Sequence, residues 1–159
     1  MLFHLSIDAG DPQRVAAVLA ELFGDGAITP FPPVAEGSWL AMAGDDRNTM
    51  VEVYPRGTEL HEAAGGDDAI GIIRDASPRR SATHFAMASR LTQEAILAIA
   101  AREGWPAKYC NRGGMFGVIE LWIEGDRMVE VLTAEMQAEY LAAMTVPNWQ
   151  AVLAAGAPA

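Results

Sequence analysis

The triplet Val-Glu-Val occurs twice, at positions 51–53 and 129–131, and a histidine precedes each copy, His4 in FHL and His84 in THF. The glutamates are 78 residues apart (130 − 52) and the histidines 80 (84 − 4). Within the halves the histidine-to-glutamate intervals are 48 (52 − 4) and 46 (130 − 84). Matched intervals with little other self-similarity are what a duplicated unit leaves after its sequence has diverged. A chain of 159 residues can bury roughly 70% of its unfolded surface, so two such units need no disulfide to hold them.

Each half reads in the same order. Leu2 to Ile7 alternates as a strand, with Phe3, Leu5 and Ile7 on one face and Leu2, His4 and Ser6 on the other. Asp11 caps a helix with Pro12 at its first position. Val15, Val18, Leu19 and Leu22 form the apolar stripe of that helix, and Gly24 stops it. The proline-punctuated stretch 25–37 holds an irregular edge strand. Ser38 to Gly44 and Thr49 to Pro55 form a hairpin around Asp45-Asp46-Arg47-Asn48. In the second half Thr83 to Ser89 is a strand with His84 near its start. Thr92 caps a helix carrying Ile96 and Ile99, and Gly104 stops it. Pro106 to Asn111 forms an edge strand. Gly117 to Glu124 and Met128 to Thr133 form a hairpin around Gly125-Asp126.

Two βαβββ modules therefore span 1–57 and 82–133. A connector, 58–81, joins them, and a helical tail, 134–159, follows. The connector is rich in glycine and acidic residues and long enough to carry structure of its own, with Ala69 to Arg74 as a candidate element. In the tail Met136, Tyr140 and Met144 have helical spacing, and Pro147 opens a short helix bearing Trp149.

Acidic residues number 21 against 11 basic ones, giving a net charge of −10. That field repels phosphate backbones and argues against nucleic acid or an anionic membrane as partner. The single cysteine, Cys110, excludes an internal disulfide and a CxxC zinc knuckle, and reads as a structural thiol. The opening MLFHLSIDAG has neither the basic nor the long apolar region of a signal peptide. No apolar run is long enough to span a membrane, so the expected location is cytoplasmic.

Val51 and Val53 flank Glu52 as Val129 and Val131 flank Glu130, so each glutamate points away from its module's helix. His4 and His84 can share that direction. If a pseudo-twofold axis relates the halves, two imidazoles and two carboxylates meet in one concavity. This pattern resembles the vicinal oxygen chelate superfamily of glyoxalases, bleomycin-resistance proteins and extradiol dioxygenases. The resemblance covers nearly the whole chain apart from the tail. It implies an α+β fold, two βαβββ modules forming a curved mixed sheet cup. It also implies, position by position, that His4, Glu52, His84 and Glu130 are metal ligands. The turn Glu124-Gly125-Asp126-Arg127 is shorter than the family's usual one and the connector is longer. No glutathione-recognition pattern is evident.

Two imidazoles and two carboxylates suit Zn, Ni, Co, Mn or Fe better than calcium. On an octahedral ion they leave two positions where adjacent oxygens of a substrate can chelate. A Lewis acid there stabilises an enediolate, with Glu52 or Glu130 as the base. The expected function is a glyoxalase-like, metal-dependent lyase, isomerase or epimerase acting on a small vicinal-oxygen substrate. The alternative is a metal-free small-ligand or drug-binding protein of the bleomycin-resistance type. An extradiol dioxygenase ranks lower, because Glu52 adds a fourth ligand to the three such a site uses. Taken singly, a strand histidine is more often a hydrogen-bonded core residue and a strand glutamate a solvated one; the matched positions of all four carry the reading. His61, Arg79 and Arg80 read as solvated, and Trp39 and Trp122 as packing residues. A small-molecule substrate and a homodimer are the expected partners.

Overall fold

The computed structural model describes residues 2–65 and 67–156. The first module consists of β1 (His4–Ala9), α1 (Pro12–Phe23), β2 (Ala27–Pro30), β3 (Trp39–Met42) and β4 (Met50–Pro55). A hairpin of β5 (Thr58–His61) and β6 (Ile70–Ile73) follows. The second module repeats the order with β7 (Phe85–Ala88), α2 (Gln93–Glu103), β8 (Ala107–Arg112), β9 (Phe116–Ile123) and β10 (Arg127–Leu132). Two helices close the chain, α3 (Ala134–Ala143) and α4 (Val146–Ala154). The module sheets have matching strand orders, β1-β4-β3-β2 and β7-β10-β9-β8. In each the first strand pairs parallel with the last, which the intervening helix makes possible.

Local chemistry sets the helix ends. The Asp11 carboxylate accepts from the Arg14 amide at 3.1 Å, and Thr92 Oγ1 accepts from the Ala95 amide at 3.3 Å. Gly24 and Gly104 end the two helices at φ 107° and 71°, where a side chain is disfavoured. The helices bury their apolar stripes on the sheet faces that carry Val51, Val53, Val129 and Val131, in one core that spans both modules. Leu19, Leu22, Ile96, Ile119 and Leu121 are fully buried in it. Each such side chain contributes about 1.5–3 kcal/mol relative to exposure.

The modules are also joined by polar contacts at both ends of α1. The Ser89 hydroxyl donates to the Leu22 carbonyl, and the Arg90 amide to the Phe23 carbonyl. At the other end Glu124 accepts from the amides of Gly10 and Asp11 at 2.7 and 2.9 Å and pairs with Arg56. Arg127 pairs with Asp8 at 2.5 Å. The tail docks on the second sheet. Phe116 and Tyr140 meet edge to face with centroids 5.1 Å apart, and Glu139 accepts from the Gly117 amide at 2.9 Å.

The elements differ from the sequence expectation in three places. The first strand begins at His4, leaving Leu2 and Phe3 exposed ahead of it. His84 precedes β7 rather than lying within it. The connector holds a full hairpin, of which only the β6 half was expected from sequence. It closes on the first module where the Gly71 amide donates to the Val34 carbonyl. A Cβ on Gly71 would stand 2.6 Å from that oxygen, so the close approach requires glycine. Among the described residues no helix is long and apolar enough to cross a membrane.

Candidate functional site

Alternation in the first sheet places Ser6 opposite Glu52 and Asp8 opposite Tyr54, on the face away from α1. Ser6 Oγ donates to Glu52 Oε2 at 2.7 Å and Tyr54 Oη donates to the same oxygen at 2.6 Å. Both donors act on Oε2. Glu52 Oε1 faces His4 Nε2 at 3.9 Å. Burial, with the adjacent Glu52 carboxylate, pushes the Tyr54 phenol up to about 12. Tyr54 thus stays protonated as a donor through the physiological range, and Glu52 is held in one orientation.

The second sheet gives its glutamate different company. Register places Glu130 opposite Glu120. Arg112 Nη2 lies 2.5 Å from Glu130 Oε1 and 2.8 Å from Glu120 Oε1, and Lys108 Nζ lies 3.7 Å from Glu120 Oε2. Burial works to raise the Glu120 carboxyl, but the hydrogen bond and charge of Arg112 outweigh it and hold it below its ordinary value. Burial, then the Glu120 charge, raises the Cys110 thiol, which makes it a poor nucleophile. His84 is exposed, with Nδ1 3.0 Å from the Ala82 carbonyl oxygen. A carbonyl can only accept, so Nδ1 donates, and Nε2 is the ring nitrogen left for another partner.

The structure therefore brings His4 to Glu52, sets Glu130 against Arg112 and Glu120, and leaves His84 outside both groups. Among the described residues no three His, Cys, Asp or Glu side chains lie close enough together to hold a metal ion. His4 and Glu52 are a nitrogen and an oxygen donor of the right kind, and the 3.9 Å between His4 Nε2 and Glu52 Oε1 is within twice the ~2.1 Å of a zinc–nitrogen or zinc–oxygen bond, whereas Glu130 is taken up by Arg112.

Two cavities flank β1. One, of about 340 Å³, is lined mainly by apolar side chains of both modules, including Phe3, Leu5, Val51, Phe85 and Met87, with His4 in its wall. The other, of about 720 Å³, is polar; Ser6 and Tyr54 line it beside Asp8, Arg56, Arg79 and Arg127. The Nε of Arg127 is buried there and has no hydrogen-bond partner among the described residues. Sequence reasoning missed Ser6, Tyr54, Arg112 and Glu120. Ser6 and Tyr54 carry a readable signal, since each lies two residues along a strand from a candidate ligand and so shares its face. Of the residues expected to be solvated, His61 pairs with Glu59 at 3.1 Å, and the Arg80 guanidinium lies 5.4 Å from the Trp122 ring centroid.

No protein-family model matches the sequence, and no curated protein sequence matches it. Solved structures do match, along most of the chain. With its two modules and its sheet order, the chain has the vicinal oxygen chelate fold. Among those that match is the fosfomycin resistance protein FosX from Listeria monocytogenes, with a TM-score of 0.55 at 11% identity, covering 87% of this chain and 97% of that one. FosX from Mesorhizobium loti matches with a TM-score of 0.52 at 14% identity over 87% and 95% of the two chains. Lactoylglutathione lyase from Agrobacterium tumefaciens does so at 0.52 and 13% over 85% and 94%. Identities this low speak for the fold alone.

Proposed function

We propose that the protein is a metal-dependent enzyme of glyoxalase-like chemistry, acting on a small substrate with adjacent oxygens. The observation that carries the reading is the preset Glu52: two hydroxyls hold one carboxylate oxygen while the other faces His4 Nε2. Preset ligands of this kind are what a metal site uses to fix its geometry. The His84 ring, which donates from Nδ1 and leaves Nε2 for another partner, supports the same reading.

His4, Glu52, His84 and Glu130 are the residues that would hold the ion. When bound, a divalent cation supplies Lewis-acid stabilisation of the negative charge that develops on the substrate oxygens. The protein's own side chains do the remainder. Ser6 and Tyr54 keep Glu52 in place throughout. Glu130 has no hydroxyl anchor and is held by the Arg112 cation instead; Glu52 or Glu130 would take the proton from substrate carbon and return it. The apolar cavity beside His4 receives the substrate's apolar part and excludes water, and the polar one receives its oxygens. Because one chain pairs only His4 with Glu52, the complete ligand set is built by a homodimer, each copy lending its second-module residues to the other's first.

The test is metal content. Protein purified without chelator is expected to carry about one divalent ion per chain, and His4→Ala and His84→Ala each to lose it while staying folded. Sedimentation velocity is expected to give a dimer. Full metal occupancy in a His4→Ala, His84→Ala double variant refutes the assignment. The same fold without a metal would instead serve as a ligand binder, and the 340 Å³ apolar cavity favours that second reading. Ligand affinity unchanged by chelators would establish it.

A further inference from the structure

Basic residues are scarce in this chain, yet they gather at one cavity. The polar cavity of about 720 Å³ has Arg56, Arg74, Arg79 and Arg127 in its wall against Asp8, Glu59 and Asp75. The rest of the chain holds 7 basic residues (11 − 4) against 18 acidic ones (21 − 3). A local reversal of this kind inside a negative field concentrates anions at one place and repels them elsewhere. We propose that the polar cavity binds an oxyanion group of a small molecule, a carboxylate or a phosphate, with Arg79 and Arg74 as the groups that reach it. The inference deepens the reading above by naming the charge of the substrate. It rests on that reading for the cavity's part in receiving substrate, and it needs no metal ion.

The four arginines differ in how much of their charge the protein already uses. Arg56 is spent on Glu124 and Asp126, which lie outside the wall. Arg127 pairs with Asp8, but its Nε has no partner among the described residues. Arg74 meets Glu59 at only 3.5 Å, and both side chains are more than half exposed. Arg79 has no carboxylate within 4 Å among the described residues. Its neighbour Arg80 lies over the Trp122 ring, so the two successive arginines part and only Arg79 enters the wall. Among the acids, Asp8 is taken by Arg127 and the Gly57 amide, and Glu59 by His61 and Arg74. Asp75 alone is uncommitted and opposes an anion. Ser77 and Thr83 add hydroxyl donors to the same wall. A planar guanidinium with free N–H groups matches the paired oxygens of a carboxylate or a phosphate. Arg74 and Arg79 both belong to the connector 58–81, the stretch that exceeds the usual family length, so the anion subsite is this chain's own addition to the shared fold.

The test titrates the full chain, stripped of metal with a chelator and dialysed, with inorganic phosphate and with succinate at constant ionic strength. Glycerol is the neutral control. Amide and arginine N–H shifts in heteronuclear NMR report both the site and the affinity. Shifts are expected at Gly57 and along 74–83, and not at Lys108 or Arg112, a second pair of cations that Glu120 and Glu130 already occupy. Arg79→Gln is expected to weaken binding about fivefold, the size of an exposed charge pair. Asp75→Asn removes the opposing charge and is expected to tighten it about twofold. Arg47→Gln removes an exposed arginine of the β3–β4 turn, outside the wall, and is expected to change nothing. Circular dichroism checks that each variant is folded, and the wild-type shift map decides the location if one is not. Binding of phosphate alone assigns a phosphate group, and binding of succinate alone a carboxylate; either supports the subsite. Binding of neither anion, shifts centred on Lys108 and Arg112, equal shifts with glycerol, or an equal loss in Arg47→Gln overturns it. Metal content is read separately. Anion binding by a chain that carries no metal when purified without chelator keeps the subsite and removes the metal reading, and a metal-bearing chain that binds neither anion does the reverse.

Discussion

Replacing Tyr54 by phenylalanine removes one oxygen from a residue that is 5% exposed and leaves its ring packing in place. At neutral pH the change deletes one of two donors to Glu52 Oε2. A hydrogen bond to a charged acceptor contributes about 1.5–3 kcal/mol. Ser6 remains as a donor and the Glu52 side chain is 12% exposed, so the loss falls at the low end, about 1.5 kcal/mol, or roughly 3–6 °C in Tm. A second effect appears only in alkali. The folded phenol is held up at about 12 against an ordinary value of 10. A folded value above the unfolded one means the fold favours the protonated group. Its contribution is therefore complete below the unfolded value and is lost as pH climbs through the folded one. Two units correspond to about 2.7 kcal/mol. Urea unfolding followed by tryptophan fluorescence, repeated across that window, measures the loss. Wild type is expected to lose about 2–3 kcal/mol more than Tyr54→Phe between the two values. Tyrosinate absorbance is expected to show a late-titrating Tyr54 in wild type, a signal missing from the variant. An alkaline slope identical in the two proteins, or a late tyrosine that survives the substitution, refutes the reasoning.

Three further outcomes follow from the packing. Leu19→Ala empties a fully buried position between α1 and the first sheet and is expected to destabilise by about 2–5 kcal/mol in urea unfolding. Gly71→Ala drives a methyl group against the Val34 carbonyl. It is expected to detach the β5–β6 hairpin and speed limited proteolysis within 58–73, with a smaller loss of global stability of about 1–3 kcal/mol. Glu124→Ala removes the acceptor for two amides at the entry to α1 and the partner of Arg56. Calorimetry is expected to show a loss of about 2 kcal/mol.

What the sequence reveals is whatever repeats or caps locally. The two helices were legible because a cap, an apolar stripe and a terminal glycine coincide in each. Both hairpins of the modules were legible from turn residues between alternating runs. The β5 strand was not, because Thr58-Glu59-Leu60-His61 has no apolar face and exists by pairing with β6. His84 was assigned to a strand because Thr83 to Ser89 alternates, yet pairing with β10 starts at Phe85. In the candidate site, Glu52 and His4 were legible as sharing a face because Val51 and Val53 flank the glutamate and Phe3 and Leu5 flank the histidine. The surroundings of Glu130 were not. Arg112 reaches it from an edge strand two places away in the sheet, and nothing in the local pattern of AKYCNR marks which side chain turns inward.

The same comparison bears on how a duplicated fold divides labour. Backbone order, helix position and the flanking valines are common to both halves, because each module must bury a helix on one sheet face. The opposite face carries no such demand and is free to diverge. In the first half it carries two hydroxyls that fix a carboxylate at no cost in charge. In the second it carries two carboxylates, an arginine and a lysine, an ion-paired group. One glutamate is therefore held by neutral donors and the other by a cation, and that difference follows from Ser6, Tyr54 and Arg112 rather than from the fold. Substituting serine for Ala86, the second-module counterpart of Ser6, would give Glu130 a neutral donor of its own and test the point. It is expected to raise stability in urea unfolding by about 0.5–1.5 kcal/mol, and a loss of stability would show that Arg112 already meets the needs of this carboxylate.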